Sequence, residues 1–150
     1  MRASAFALFV LPVCAAACPP PAKAATLAAT PAATLVVTVD NVRDARGHVR
    51  IGVCTKAEFL GERCRYHAVV PSAAGRVETR ITVQPGIYAI AAYQDATDAG
   101  HLRRTFLGIP KDGTGFSRDP SLRFGPPSFA DSALTVGTGD SAVTIHLHYF

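Results

Sequence analysis

The sequence predicts an all-β protein, a single antiparallel β-sandwich of about seven strands with one long loop rich in Gly and Pro. Three observations lead to this fold class. Short segments of alternating apolar and polar residues recur along the chain, turn residues separate them, and no segment shows the period of a long helix. A chain of 150 residues, 49% hydrophobic and 17% charged, is typical of one folded domain, which we place at residues 34–150.

The first 24 residues have the pattern of a Sec-type signal peptide. A positive charge at Arg2 precedes a largely apolar segment at residues 3–18, and Ala22-Lys23-Ala24 provides a small-residue cleavage site. As a helix, the apolar segment would span about 24 Å at roughly 1.5 Å per residue, less than a hydrocarbon core of about 30 Å. We therefore expect cleavage after Ala24, no membrane span in the mature chain, and a periplasmic or secreted location.

The alternative for this region is a lipoprotein acylated at Cys18, which three alanines precede. After cleavage, residues 25–33 would form a flexible leader. Removal of residues 1–24 leaves 13 basic and 11 acidic side chains, a net charge of about +2. A charge this small argues against nucleic-acid binding, which uses a dense basic face.

The predicted strands follow from residue alternation and from the turns between them. Residues 35–40 alternate with the period of a half-buried strand. Residues 87–95 are apolar on both faces, so we expect this strand at the centre of a sheet, and its alanines indicate a closely packed neighbour. Residues 56–60 are compatible with a short helix. The strands are assigned to residues 35–40, 48–54, 65–70, 76–83, 87–95, 133–136 and 142–149.

Two cysteines remain beyond the signal peptide, Cys54 and Cys64. Their spacing is not that of a redox C-x-x-C pair, and an exported protein meets conditions that permit disulfides. We expect a structural disulfide that pins the connection between them, with two free thiols as the alternative.

Residues 100–127 interrupt the strand pattern with five Gly and four Pro. A loop of this length in a small domain is usually functional or mobile. We expect it to pack as a lid on the outer face of strand 87–95, and an exposed recognition surface is the alternative. The aromatic residues that would pin the lid are Phe106, Phe116, Phe124 and Phe129.

The order of motifs around this loop resembles the bacterial domain-of-unknown-function family 2141, whose members are small exported proteins. The similarity runs from about Leu35 to Tyr149. It implies an exported β-sandwich similar in outline to immunoglobulin-like or transthyretin-like modules, and it implies no activity, substrate or catalytic residue. The motifs are the strand Tyr88-Ala-Ile-Ala-Ala-Tyr-Gln-Asp95, then Phe106-Leu-Gly-Ile-Pro110, Gly115-Phe-Ser117 and Gly125-Pro-Pro-Ser-Phe129.

Many members of that family carry a run of the form D-x-N-x-N-G-x-L-D, which resembles a calcium loop. Here the run begins at Asp95 and keeps Gly100, but Thr97, Ala99 and Arg103 occupy the other expected ligand positions. Calcium needs six or more oxygen ligands, so we do not expect a calcium site in this chain.

Basic residues outnumber acidic ones in the 100–127 loop. Arginines beside a Gly-rich backbone can hold a phosphate or a carboxylate, whereas a solvated loop is the other interpretation. The candidate ligand-contacting residues of the loop and its flank are Arg103, Arg104, Phe106, Phe116, Arg118 and Phe129.

His146 and His148 lie two residues apart, so on a strand they point to the same face. Two imidazoles with this spacing can bind zinc or copper, with a third ligand from His101, His48 or His67. The alternative is a polar outer face of the last strand.

The sequence contains no G-x-S-x-G or H-E-x-x-H motif, and we expect neither an enzyme nor a cofactor. It favours a non-catalytic module of the cell envelope that binds an envelope protein, a glycan or a small anion through the 100–127 loop. A metal-binding envelope protein that uses His146, His148 and His101 is the alternative.

Overall fold

The computed structural model describes residues 32–61 and 63–150. The signal peptide predicted at residues 1–24, and nearly all of the leader predicted at residues 25–33, lie outside this part. Within it the chain forms eight strands and one short helix: β1 Ala33–Val42, β2 His48–Cys54, β3 Tyr66–Pro71, β4 Gly75–Val83, β5 Gly86–Asp95, β6 Thr114–Phe116, α1 Phe129–Ser132, β7 Ala133–Val136 and β8 Ser141–His146.

These strands form two sheets, which confirms the predicted β-sandwich. One sheet has the order β4-β1-β8, and the other has the order β3-β2-β5-β6 with β7 also paired to β5. The pairing of β1 with β8 departs from the antiparallel prediction, because these two strands run parallel. No hairpin sets the direction of β8, since it follows β7, which belongs to the other sheet.

The core lies between the two sheets and follows the predicted alternation. Leu35, Val37 and Val39 of β1 are fully buried, while the residues between them are half-buried. Ile90 of β5 and Ile145 of β8 are also fully buried. Each such aliphatic side chain stabilises the fold by roughly 1.5–3 kcal/mol relative to an exposed position.

Strand β5 is central in its sheet, as predicted. β2 pairs with one of its edges, and β7 and β6 share the other edge. Phe116 of β6 stands opposite Ala91, so its ring lies on the outer face beside that small residue. Phe59 packs edge to face on Phe116 and on Phe129, with ring centroids 6.0 and 5.7 Å apart. We call Phe59, Phe116 and Phe129 the aromatic cluster.

The short helix considered at residues 56–60 is a single turn instead. Phe59 N donates to Thr55 O at 3.0 Å, and Leu60 has a φ of 62°, which ends the helical path. The helix α1 forms after Ser128, whose side chain accepts a hydrogen bond from Asp131 N as an N-cap. In the part of the chain that the structure describes, no helix is long and apolar enough to cross a membrane.

The last predicted strand, residues 142–149, does not stay in one sheet. β8 ends at His146, and Leu147 N still bonds to β1 at 3.0 Å. The next residue, His148, exchanges two 2.9 Å backbone hydrogen bonds with Thr114 of β6 in the other sheet. The C-terminal segment therefore ties the two sheets together along this edge.

Cys54 and Cys64 form a disulfide, as predicted, which joins the end of β2 to the connection that leads to β3. Replacing both by Ala should lower the free energy of unfolding by about 2.5–3 kcal/mol, because the unfolded chain regains the entropy of a loop of about ten residues. Urea denaturation of the oxidised protein and of the double variant measures this difference. Reduced wild-type protein is the control and should match the variant.

Candidate functional site

Residues 103–111 form a small hairpin inside the Gly/Pro loop, here called the 103–111 hairpin. Lys111 N donates to Arg103 O at 2.9 Å, and Thr105 N donates to Ile109 O at 2.8 Å. Gly108 N donates to Thr105 O at 2.9 Å, and Gly108 has a φ of 81°. This is a three-residue hairpin loop, a type I turn followed by a left-handed residue, and glycine adopts that conformation without strain.

A buried carboxylate anchors the base of the 103–111 hairpin. Asp112 is 4% exposed and accepts hydrogen bonds from the backbone N and the guanidinium of Arg103. At the other end, Arg104 Nη1 donates to Gly108 O at 3.2 Å. Arg103, a candidate for anion binding, is therefore used to hold Asp112, and the turn is fixed from both ends.

The tip of this hairpin presents apolar side chains to solvent. Phe106 is 97% exposed and Leu107 is 70% exposed. Phe124, further along the same loop, is fully exposed as well. The prediction that four aromatic residues pin the loop is therefore wrong for Phe106 and Phe124. These two lie in turns that point away from the sandwich, whereas Phe116 is in a strand and packs in the aromatic cluster.

A cleft of about 600 Å³, here called the loop cleft, lies beside the hairpin. Its volume is in the range of small-molecule sites, roughly 300–1,000 Å³. The buried Phe116 contributes to its lining, as do the two arginines Arg104 and Arg123. Apolar side chains form most of the remaining wall: Leu102, Leu107, Ile109, Pro110, Leu122 and Phe150.

The charge around the loop cleft is positive. Arg104 and Arg123 line it, and no ion pair joins either of them to a carboxylate among residues 32–61 and 63–150. The two acidic residues of the loop have other partners. Asp112 is bound by Arg103, and Asp119 Oδ1 lies 2.7 Å from His148 Nε2.

The structure separates the six loop candidates into two groups. Arg104 and Phe116 line the cleft, and Phe106 projects from the hairpin beside it. The other three make contacts within the fold. Arg103 holds Asp112, Phe129 packs on Phe59, and Arg118 Nη1 donates to Ala130 O at 3.2 Å and so braces α1.

Sequence reasoning counted Arg123 among the basic residues of the loop, but it missed the apolar wall of the cleft, which consists of Leu102, Leu107, Ile109, Pro110, Leu122 and Phe150. A signal was present for Leu107 and Ile109. Apolar residues on both sides of Gly108 place hydrophobic side chains in a turn, where polar residues are usual. The contributions of Leu102, Leu122 and Phe150 depend on tertiary packing and have no local pattern.

Asp95, where the calcium-like run begins, is fully buried and organises the turn after β5. Its carboxylate accepts hydrogen bonds from Ala99 N at 2.9 Å, Gly100 N at 2.8 Å and Arg50 Nε at 2.8 Å. Burial alone would raise the pKa of Asp95, but these hydrogen bonds outweigh it and hold the pKa below its ordinary value of 3.8. Both carboxylate oxygens of Asp95 therefore stabilise the turn and its contact with Arg50.

The three histidines of the metal hypothesis have separate partners. His146 Nδ1 lies 4.0 Å from Asp40 Oδ2, and His101 Nδ1 lies 3.0 Å from Ala99 O. Among the described residues, no three His, Cys, Asp or Glu side chains are grouped so as to hold a metal ion. Metal binding by His146, His148 and His101 stays a prediction, which the metal content of untagged protein would check.

Comparison with known proteins places these features in a family. A family model described as "Uncharacterized protein conserved in bacteria (DUF2141)" matches residues 37–144, which include every strand except parts of β1 and β8 and contain the hairpin. No curated protein and no solved structure matches the chain.

Proposed function

We propose that this chain, which belongs to the DUF2141 family of uncharacterized bacterial proteins, is an exported, non-catalytic binding module of the cell envelope. Its recognition surface consists of the loop cleft and the 103–111 hairpin, both within or beside the 100–127 loop.

The observation that carries this proposal is the exposure of Phe106, Leu107 and Phe124 on an anchored loop. Leaving a large apolar side chain in water forgoes roughly 1.5–3 kcal/mol of burial. Contiguous exposed apolar groups beside polar ones mark interaction sites on soluble proteins. The backbone hydrogen bonds of the hairpin and the Arg103–Asp112 pair hold Phe106 and Leu107 in place, which lowers the entropy cost of binding.

The uses of the buried polar groups support a non-catalytic role. The carboxylate of Asp95 caps the turn after β5, and that of Asp112 anchors the hairpin. Ser117 Oγ accepts a hydrogen bond from Ile90 N at 2.9 Å, which joins the loop to β5. Each of these groups is hydrogen-bonded to the backbone or to side chains of the fold, whereas a catalytic group would face a bound substrate.

Two observations support export. Residues 1–24 have the composition of a signal peptide, and Cys54 and Cys64 form a disulfide, which is common in oxidising compartments. Fractionation of a bacterium that produces the full chain tests this point. We expect the protein in the periplasmic or secreted fraction with an intact mass that begins at Ala25.

Photo-crosslinking tests the recognition surface. A photoreactive phenylalanine analogue in place of Phe106 should yield specific adducts in the envelope of intact cells. The matched control is the same analogue in place of Ile87, which is 59% exposed on β5. Adducts at both positions, or at neither, would contradict the assignment of the surface to the loop. Adducts are identified by intact mass, so that protein, glycan and lipid ligands are all detected.

A further inference from the structure

We infer that the loop cleft binds a single-chain amphiphile with an anionic head group, specifically a monomeric long-chain carboxylate. The alkyl chain would lie against the apolar walls, and the carboxylate would lie between Arg104 and Arg123. This inference rests on the proposed function, since it names the ligand class of the same surface.

The walls of the loop cleft favour an alkyl chain over a polar ligand. Leucine, isoleucine, proline and phenylalanine side chains line it, and they come from four separate segments: residues 102–110, β6, residues 122–126 and Phe150. A glycan or a free inorganic anion would leave these side chains without a partner. An apolar chain covers them, and each buried CH₂ strengthens binding.

The concave shape of the loop cleft favours a small-molecule ligand over a protein partner, which would bind through a flat surface. Its concave volume of about 600 Å³ is that of a small-molecule pocket, whereas protein interfaces bury a larger and flatter area. Phe116 is 6% exposed and lies in its lining, so part of this wall is reached only by a ligand that enters the cleft.

The charge of the site selects the head group. Arg104 and Arg123 line the cleft together with the apolar side chains, so one molecule can contact both kinds of group. Arg104 Nη1 donates a hydrogen bond to Gly108 O, and this bond holds the guanidinium beside the turn of the hairpin. Guanidinium groups form charge-assisted hydrogen bonds to carboxylates, and a carboxylate on an alkyl chain meets both requirements.

Isothermal titration of the mature protein with octanoate, decanoate and dodecanoate below their micellar concentrations tests the inference. We expect one site per chain, with a Kd that falls about threefold to fourfold for each added methylene. Dodecanol should bind about tenfold more weakly than dodecanoate because it lacks the charge. Dodecyltrimethylammonium should bind more weakly still, because the two arginines repel it.

Matched variants locate the binding. Arg104→Gln/Arg123→Gln should remove the preference for dodecanoate over dodecanol, whereas Arg80→Gln on the exposed side of β4 should leave it unchanged. Leu107→Glu/Ile109→Glu should abolish binding of dodecanoate, whereas Ile87→Glu should not. These positions are 44–70% exposed, so the variants should keep the wild-type melting temperature, which is measured first.

Three results would overturn the inference. They are no binding of any carboxylate, a Kd that does not depend on chain length, and binding to phosphatidylglycerol vesicles without binding of monomeric dodecanoate. The last result would assign the surface to a membrane. In each case, specific crosslinking at Phe106 would still support the proposed recognition surface, and its absence would remove both proposals.

Discussion

Asp95→Asn should lower the free energy of unfolding by about 3 kcal/mol at pH 7, among the largest effects of any single substitution in this protein. Asp95 is fully buried, and both of its oxygens accept hydrogen bonds, from Ala99 N, Gly100 N and Arg50 Nε. An asparagine would turn an N–H donor toward one of these donors in either orientation. It would also leave Arg50 without its buried counter-charge. Urea denaturation at pH 7 measures the loss.

The control for this substitution is Asp98→Asn in the same turn. Asp98 is exposed and has a φ of 53°, a conformation that asparagine tolerates, so we expect a change below about 1 kcal/mol. A loss as large as that of Asp95→Asn would contradict the assigned role of the buried carboxylate.

The stability difference between the wild type and Asp95→Asn should become smaller as the pH falls. Because the pKa of Asp95 is lowered in the folded state, its contribution to stability is complete above the unfolded value of 3.8 and is lost as the pH falls through the lower folded value. The pKa values of Asp40 and Asp44 are also lowered, but both proteins share these groups. The difference in unfolding free energy should therefore shrink between pH 6 and pH 2.5. A constant difference would count against the pKa assignment.

Gly115→Ala should destabilise the protein by about 3 kcal/mol, the upper end of the usual range for overpacking. A Cβ at Gly115 would lie 2.2 Å from the backbone O of His146 and 2.7 Å from Ile145 Cγ2. The C-terminal segment cannot move away easily, because His148 is paired to Thr114 next to this glycine. The overlap is therefore with backbone that the sandwich itself holds in place.

Thermal and urea denaturation check this prediction against Gly137→Ala. A Cβ at Gly137 meets nothing within 4 Å, so this control should change stability by less than about 1 kcal/mol. Near-equal stability of the two variants would show that the backbone of His146 does not lie against Gly115.

The fold class could be predicted because it depends on local patterns. Alternation in β1 and the two apolar faces of β5 reflect burial that the sequence carries residue by residue. The parallel pairing of β8 and the crossing at Leu147 could not be predicted, because they depend on which edge of which sheet is free. The three-residue β6 lies among Gly and Pro residues, and its pairing with β5 and with His148 depends on the tertiary fold.

The candidate site was predictable only to the level of the loop. Phe106 and Phe116 are the same residue type ten positions apart, yet one is exposed in a turn and the other is buried in a strand. Only tertiary pairing with β5 decides between these states. Likewise, Arg103 and Arg104 are adjacent in the sequence but have different roles. Arg103 forms an ion pair with the buried Asp112, whereas Arg104 lines the cleft.

We propose that Phe106 and Phe124 serve recognition and do not pin the loop, so that neither ring contributes to the stability of the fold. The most direct measurement is the unfolding free energy of the Phe106→Ser/Phe124→Ser variant in urea. We expect a value within about 0.5 kcal/mol of the wild type, because both side chains are almost fully exposed. A loss of more than about 2 kcal/mol would contradict it, since it would mean that these rings are buried in the folded protein and hold the loop in place.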